Sequence, residues 1–445
     1  METILVKTAQ LLLSLSILVV LHEFGHFMFA RLFKTRVEKF YLFFNPWFSL
    51  FKFKKGETEY GVGWLPLGGY VKISGMIDES MDKEAMKQPP QPYEFRSKPA
   101  WQRLLIMVGG VLMNFLFAMI IYIGVLYVWG EQYLPTENVK YGIVVNDVGE
   151  EIGLQTGDKI LTVDNKHIEN FHKIIPTLVL DDAKSIQVER NGQITDVEIS
   201  GDDLAKLLKS KSVMSPRIPF KMQVEGFTPD SPGEAAGLQV GDEIKKLNGQ
   251  SFIFYDEWST ELQKHKGDPV KLTVERAGDP VDVDMILGED GMIGIRMNQF
   301  TDNYFDLETI NYGFFESIPA GIRQGVQITK DYLKQFKLFF RPETKAYESL
   351  GGFATIGNIF PATWDWFSFW NMTAFISIIL AIMNLLPIPA LDGGHVMFLI
   401  FEIISGRKPG EKFLEYAQIA GMLLLLALVL YANANDIIKM INGTF

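Results

Sequence analysis

Four long apolar runs constrain this chain more than any other feature: Ile4–Leu32, Leu104–Trp129, Phe367–Pro387 and Phe413–Ala432. The third resumes at Val396–Ile404, beyond a loop that holds Asp392. Each run is near or above the roughly 20 residues that a helix needs to cross a bilayer. Helices are the expected form, because hydrocarbon offers the backbone no hydrogen-bond partners. The first run has no basic n-region and no Ala-x-Ala site, and it continues through a charged motif. It reads as a retained span rather than a cleaved signal peptide.

Between the runs the chain changes character. Hydrophobic residues make up 48% of the 445, yet 21% are charged; spans joined to soluble modules average to such a mixture. The absence of cysteine excludes disulfides and thiolate metal ligands. Glu131–Glu308 holds 33 acidic and 18 basic residues, a balance of −15, so a net charge of −11 leaves +4 on the rest. That asymmetry suits a membrane protein with an acidic extramembrane insert and not a nucleic-acid binder. The 12 basic residues of Lys34–Arg103, together with Arg407, Lys408 and Lys412, mark two cytoplasmic connections by the positive-inside rule. Both termini and the insert are then expected outside, with the first and third spans running the same way.

Two stretches of the insert resemble each other. One reads Gly153-Leu154-Gln155-Thr156-Gly157-Asp158-Lys159-Ile160, the other Gly237-Leu238-Gln239-Val240-Gly241-Asp242-Glu243-Ile244. Each joins a helix end to a strand through Gly-Asp and then turns, at Asp164-Asn165 and Asn248-Gly249. This resembles the core signature of PDZ domains, and two copies predict a tandem, Val139–Ile199 and Pro219–Met297. PDZ folds bind peptide ends by strand addition, but a purely steric role for the modules is an equal alternative.

The chemistry concentrates in the first run, at His22-Glu23-Phe24-Gly25-His26. On a helix, positions i and i+4 share a face, so both imidazoles can meet one ion, and Glu23 can take a proton from water that the ion acidifies. The pentapeptide alone is common. Inside an apolar helix its ionisable residues are costly, and a mere packing cluster is a poor explanation for them. A third ligand is expected at Asp392, in Asn384-Leu385-Leu386-Pro387-Ile388-Pro389-Ala390-Leu391-Asp392-Gly393-Gly394-His395. Prolines interrupt the helix there and glycines relax the backbone, which lets a carboxylate turn toward a neighbouring helix. Two histidines and one carboxylate with an open fourth position make a catalytic zinc site. His395 is left out, since a fourth protein ligand would close it.

With these motifs in this order, nearly the whole chain resembles the bacterial site-2 proteases of the RseP type, which are intramembrane zinc metalloproteases. The resemblance implies an α+β fold: a polytopic α-helical membrane core of four transmembrane helices, inserted tandem PDZ β-domains and a membrane-reentrant β-hairpin. The expected order is a first span (1–32), a cytoplasmic and reentrant region (33–103), a second span (104–129), PDZ-like modules (139–199 and 219–297), interfacial amphipathic helices (310–345), a third span with the Asp ligand (367–405) and a fourth span (413–435). Gly61–Lys72 resembles the reentrant element; the edge at Gly68, Gly69, Tyr70, Val71 and Lys72 is expected to pair with an unwound substrate. Asn384 matches a substrate-handling position. Gly110 and Asn114 match a motif of the second span, although Val111 stands where proline is usual. The helical stretch Ile318–Phe340 is expected along the outer interface or against the modules.

The implied reaction is zinc-dependent hydrolysis of single-pass transmembrane substrates, such as anti-sigma factors after a first cut and remnant signal peptides. The implied setting is the bacterial inner membrane, with the lipid bilayer as partner and the active site toward the cytoplasm. A zinc transporter would need polar residues along a through-pathway, whereas these ligands share one depth. A membrane-anchored scaffold has no use for Glu23 beside two histidines.

Overall fold

The computed structural model describes residues 2–66, 68–76, 89–210, 212–297, 304–339 and 350–442. The chain divides into two compact units, one of Met1–Gly130, Asn311–Phe336 and Tyr347–Phe445, the other of Glu131–Ile310 and Lys337–Ala346.

Four helices of the first unit are long and apolar enough to cross a membrane. They are the first (Glu2–Leu32), second (Ala100–Trp129), third (Trp366–Leu385) and fourth (Glu411–Ile441). The second is the central one, packed against the first, the third and a shorter helix, Asp392–Ser405. It meets the first at Gly25 and Gly109, where a side chain on either glycine would strike the facing backbone. Small residues let helices approach this closely where water supplies no driving force. The third helix stops at Leu385 because Pro387 and Pro389 cannot continue it, and the chain becomes helical again only at Asp392. Among the described residues of the fourth helix, only Gly421 and Asp436 are buried.

Four strands follow the first helix: β1 (Val37–Leu42), β2 (Phe44–Lys55), β3 (Thr58–Leu65) and β4 (Tyr70–Ile73). Their order is β2-β3-β1-β4. This corrects the expected hairpin at Gly61–Lys72. There β3 and β4 are not partners: β3 pairs in parallel with β1, and β4 pairs antiparallel with the other side of β1. The hairpin is β2–β3, closed at Gly56 with φ 65°. With both edges of β3 taken, β4 joins the other side of β1 and is the last strand of the sheet among the described residues. Leu67, in the crossing connection, lies outside the described residues.

The amphipathic stretch forms one helix, Phe314–Phe339. Its Gly321 and Gly325 face Ile123 and Met119 of the second apolar helix, spaced i, i+4 so that one narrow face docks. That contact was not among the expected ones. Phe340 lies outside the described residues.

The second unit has two hydrophobic cores, one around Ile143, Leu154, Ile174 and Ile186, the other around Met222, Ile244, Trp258 and Leu272. Residues beyond the expected boundary at Ile199 pack with those before it. Strand Met214–Pro216 pairs with Ile143–Val145, and helix Gly201–Lys209, opened by a Ser200–Asp203 capping box, buries Leu204 and Leu207 in the core. The sequence repeat recurs atom by atom. Gln155 N–H donates to Asp158 at 2.8 Å and Gln239 N–H to Asp242 at 2.9 Å. Arg190 and Arg276 each clamp their aspartate through two nitrogens, and also reach the carbonyls of Gly153 and Gly237.

Candidate active site

His22 and His26 sit one helical turn apart on the first helix with their rings edge to face, centroids 4.8 Å apart. The Asp392 carboxylate reaches them from the first residue of its helix, where the backbone dipole favours a negative charge. Its Oδ2 lies 3.1 Å from His22 Nε2 and 3.3 Å from His26 Nε2, and the two Nε2 atoms are 3.3 Å apart.

The close helix crossing orients the imidazoles. His26 Nδ1 lies 2.8 Å from the Ile106 carbonyl oxygen, so Nδ1 carries the proton and Nε2 offers its lone pair. Asn114 approaches His22 Nδ1 at 3.5 Å, and its own backbone carbonyl accepts from Ser377 Oγ at 2.7 Å, tying the second helix to the third. Gly110 forms the floor: a Cβ there would lie 2.5 Å from His26 Nε2 and 2.7 Å from His22 Cε1. Any side chain would occupy the space the imidazoles need.

These groups open into a cavity of about 420 Å³ lined by His22, Glu23, His26 and Asp392 together with Gly69, Tyr70, Val71 and Lys72 of the β4 edge. The Val71 amide faces the Glu23 carboxylate. Gly69 admits the strand this close: a Cβ on it would lie 2.6 Å from the Tyr41 carbonyl oxygen and 2.8 Å from Val19. The structure thus gathers seven of the expected residues around Glu23. Gly68 is next to the lining without joining it, and Asn384, half-buried at the end of the third helix, does not line this cavity.

Lys39, Met107, Gln418 and the excluded His395 also line it. Lys39 faces Lys72 across the β1–β4 ladder, a pairing that only the register reveals. Gln418 was not among the expected site residues, although a polar side chain in an apolar helix is a readable signal.

The family model described as Peptidase family M50 matches residues 10–428. The chain belongs to peptidase family M50. A putative zinc metalloprotease of Vibrio cholerae is 30% identical over 99% of this chain and 100% of its own length. A regulator of sigma E protease of Haemophilus influenzae is 27% identical over 96% of this chain and 98% of its own. Among solved structures, the PDZ domain of an SdrC-like protein from Listeria monocytogenes matches 19% of this chain and 90% of that one, at 26% identity and TM-score 0.16.

The donor set of this M50 peptidase fits zinc. Arms of about 2.0–2.1 Å at tetrahedral angles put neighbouring ligand atoms about 3.3–3.4 Å apart, close to the three distances here. Asp392 Oδ2 is sealed from solvent with no hydrogen-bond partner, a costly state for a carboxylate unless a cation answers it. Two nitrogens and one oxygen are three donors, which would leave one position of a tetrahedral zinc unfilled by these side chains. Together with its four apolar helices, family membership makes this a membrane-embedded peptidase.

Proposed function

We propose that this peptidase is a site-2 protease that hydrolyses single-pass transmembrane substrates inside the bilayer, with His22, His26 and Asp392 holding zinc. The observation that carries this reading is the junction of three converging donor atoms with the β4 strand in one cavity, on helices apolar enough to span a membrane.

When bound, zinc supplies Lewis acidity that polarises a carbonyl and acidifies water. Glu23, one residue from a ligand and lining the same cavity, takes the proton from the attacking water and passes it to the leaving amine. The His26 bond to Ile106 keeps Nε2 deprotonated for the ion. A helical substrate hides its amides in its own hydrogen bonds, so it has to unwind before it is cut. The edge position of β4 lets Gly68–Lys72 hold the unwound stretch as an added strand. Asn384 handles the substrate beyond the metal cavity.

The setting is the bacterial inner membrane, with the active site toward the cytoplasm and both termini and the insert outside; the charge asymmetry and the basic connections support this. The matching aspartate–arginine clamps support a tandem of PDZ-like modules, which we read as a screen against bulky substrates. Anti-sigma-factor-like proteins and remnant signal peptides are the substrates, in keeping with a relative named as a regulator of sigma E protease.

The test uses purified protein in lipid vesicles with a co-reconstituted single-pass substrate. Glu23→Gln is expected to lower cleavage by at least about 100-fold while the zinc content stays near one per chain. Normal turnover in that variant would end the assignment of Glu23 as the base.

A further inference from the structure

We propose that Gln418 and Gly421 of the fourth helix are positioning residues for the ligand Asp392, which they aim by holding Ala390 in a left-handed backbone conformation. The inference rests on the reading of Asp392 as a metal ligand.

Ala390 has φ +85°, a region that residues with a Cβ rarely occupy. The surrounding chain explains why it is forced there. Between the end of the third helix at Leu385 and the helix that starts at Asp392, the backbone reverses within Leu386–Leu391. Pro387 and Pro389 have no N–H to give. The Ile388 N–H turns back to Leu386 O at 2.7 Å, and the Leu391 N–H to Ile388 O at 3.0 Å. The Ala390 N–H instead reaches the fourth helix, where Gln418 Oε1 accepts it at 3.2 Å. That bond is a side chain's answer to a strained backbone two residues before a metal ligand, the kind of place where strain is held by its surroundings.

Gly421 supplies the second hold. It lies three residues after Gln418, on the same helix face, and a Cβ there would collide with the Pro389 carbonyl. Gly421 and Asp436 are the only buried residues among those described in the fourth helix. The docking of this helix on the Pro389–Ala390 turn is therefore a local contact, not a by-product of an extensive core. A displacement at Ala390 carries to Asp392 because the turn is packed solid: a Cβ on Gly394 would lie 2.6 Å from the Ile388 carbonyl oxygen. Gln418 also lines the catalytic cavity, so the clamp and the site share a wall.

The test is a double-mutant cycle read as zinc affinity, by chelator competition on the full chain in detergent. Gln418→Leu is expected to weaken zinc binding about 10–100-fold, the usual range for losing an outer-shell partner. Ala390→Gly alone should change it little. The double variant should regain most of the loss, since glycine adopts φ +85° unaided. Rescue separates positioning from packing, because removing a methyl from the loop cannot repair a badly packed fourth helix. Thermal unfolding without zinc shows which variants fold. If Gln418→Leu does not, Gly421→Ala serves, and it too should weaken binding. Wild-type affinity in the folded variant, or a deficit in Gln418→Leu that Ala390→Gly leaves in place, would overturn the proposal. Asp392→Asn is measured in parallel. If it too keeps full affinity, the metal reading has failed; if it loses zinc while Gln418→Leu does not, the clamp alone is wrong.

Discussion

In the insert, Asp158 and Asp242 are each 1% exposed, and both carboxylates are saturated by a two-nitrogen arginine clamp and a backbone N–H. In the helical unit, the Asp392 side chain is 16% exposed, but its Oδ2 is sealed from solvent, with two imidazole nitrogens for neighbours and no hydrogen bond. Burying a carboxylate is costly unless charge and hydrogen bonds answer it. In the insert the answer is internal, and the aspartates hold the modules together. At Asp392 no such internal answer is present, which suits the metal-ligand role proposed for it.

Asp392→Asn should break this contrast most severely. A neutral isostere in place of the charged ligand is expected to abolish cleavage and to weaken zinc binding by orders of magnitude. The zinc-free protein should keep its helical circular dichroism, since no hydrogen bond of the fold is lost. Unchanged zinc content and activity would show that Oδ2 is no ligand.

Gly110→Ala tests the same site from its floor. The added methyl falls 2.5 Å from His26 Nε2, so one imidazole has to move. Zinc affinity is expected to drop by about tenfold or more, on the scale of disturbed outer-shell contacts, with cleavage falling in step. Chelator competition measures it, and wild-type affinity would mean the imidazoles have more room than their packing indicates.

Asp242→Asn should do the reverse of Asp392→Asn. Loss of the charged hydrogen bonds to Arg276 and Gln239 is expected to destabilise the second module by about 2–3 kcal/mol, seen as faster hydrogen exchange in Glu243–Leu247 and Pro269–Arg276. Zinc affinity should stay at the wild-type value. A shared loss in both assays would mean that the two kinds of aspartate are not separable.

The smallest effect is that of pH. Hydrogen bonding from Arg276 holds the Asp242 carboxyl below the usual carboxylate range. A depressed folded pKa stabilises at pH values above the unfolded one, about 3.9, and the contribution is lost as pH falls through the folded value. The unfolding midpoint of the insert should therefore be flat from pH 7 to 5 and fall below about pH 4. Asp242→Asn should flatten that fall, and an equally steep fall in the variant would assign it to other carboxylates.

Much of this site was legible before any coordinates, because it rests on local rules. The spacing of His22 and His26 places two imidazoles on one helix face whatever surrounds them, and Pro387 and Pro389 interrupt a helix in any fold. The duplicated Gly-Asp turn likewise pointed to a repeat, and the structure carries matching aspartate–arginine clamps at its two copies. The hairpin at Gly61–Lys72 was misread because strand order is not a local property: the glycines mark a turn but cannot say that β1 will lie between the strands it joins. The pairing of Met214–Pro216 with Ile143–Val145 was not legible for the same reason, since the two strands lie about 70 residues apart in the chain.

By itself the sequence determined the four apolar runs and the charged insert between them, and it nominated the ligand residues and the base, since length, hydropathy and i, i+4 spacing act within a single segment. Only the tertiary structure decided that the Ile106 carbonyl orients His26, that Gly110 clears the floor, that β4 presents the edge and that Gln418 holds Ala390. Each of these is a contact between residues far apart in the chain. Their formation depends on how closely whole helices and strands approach, and no single segment encodes that distance.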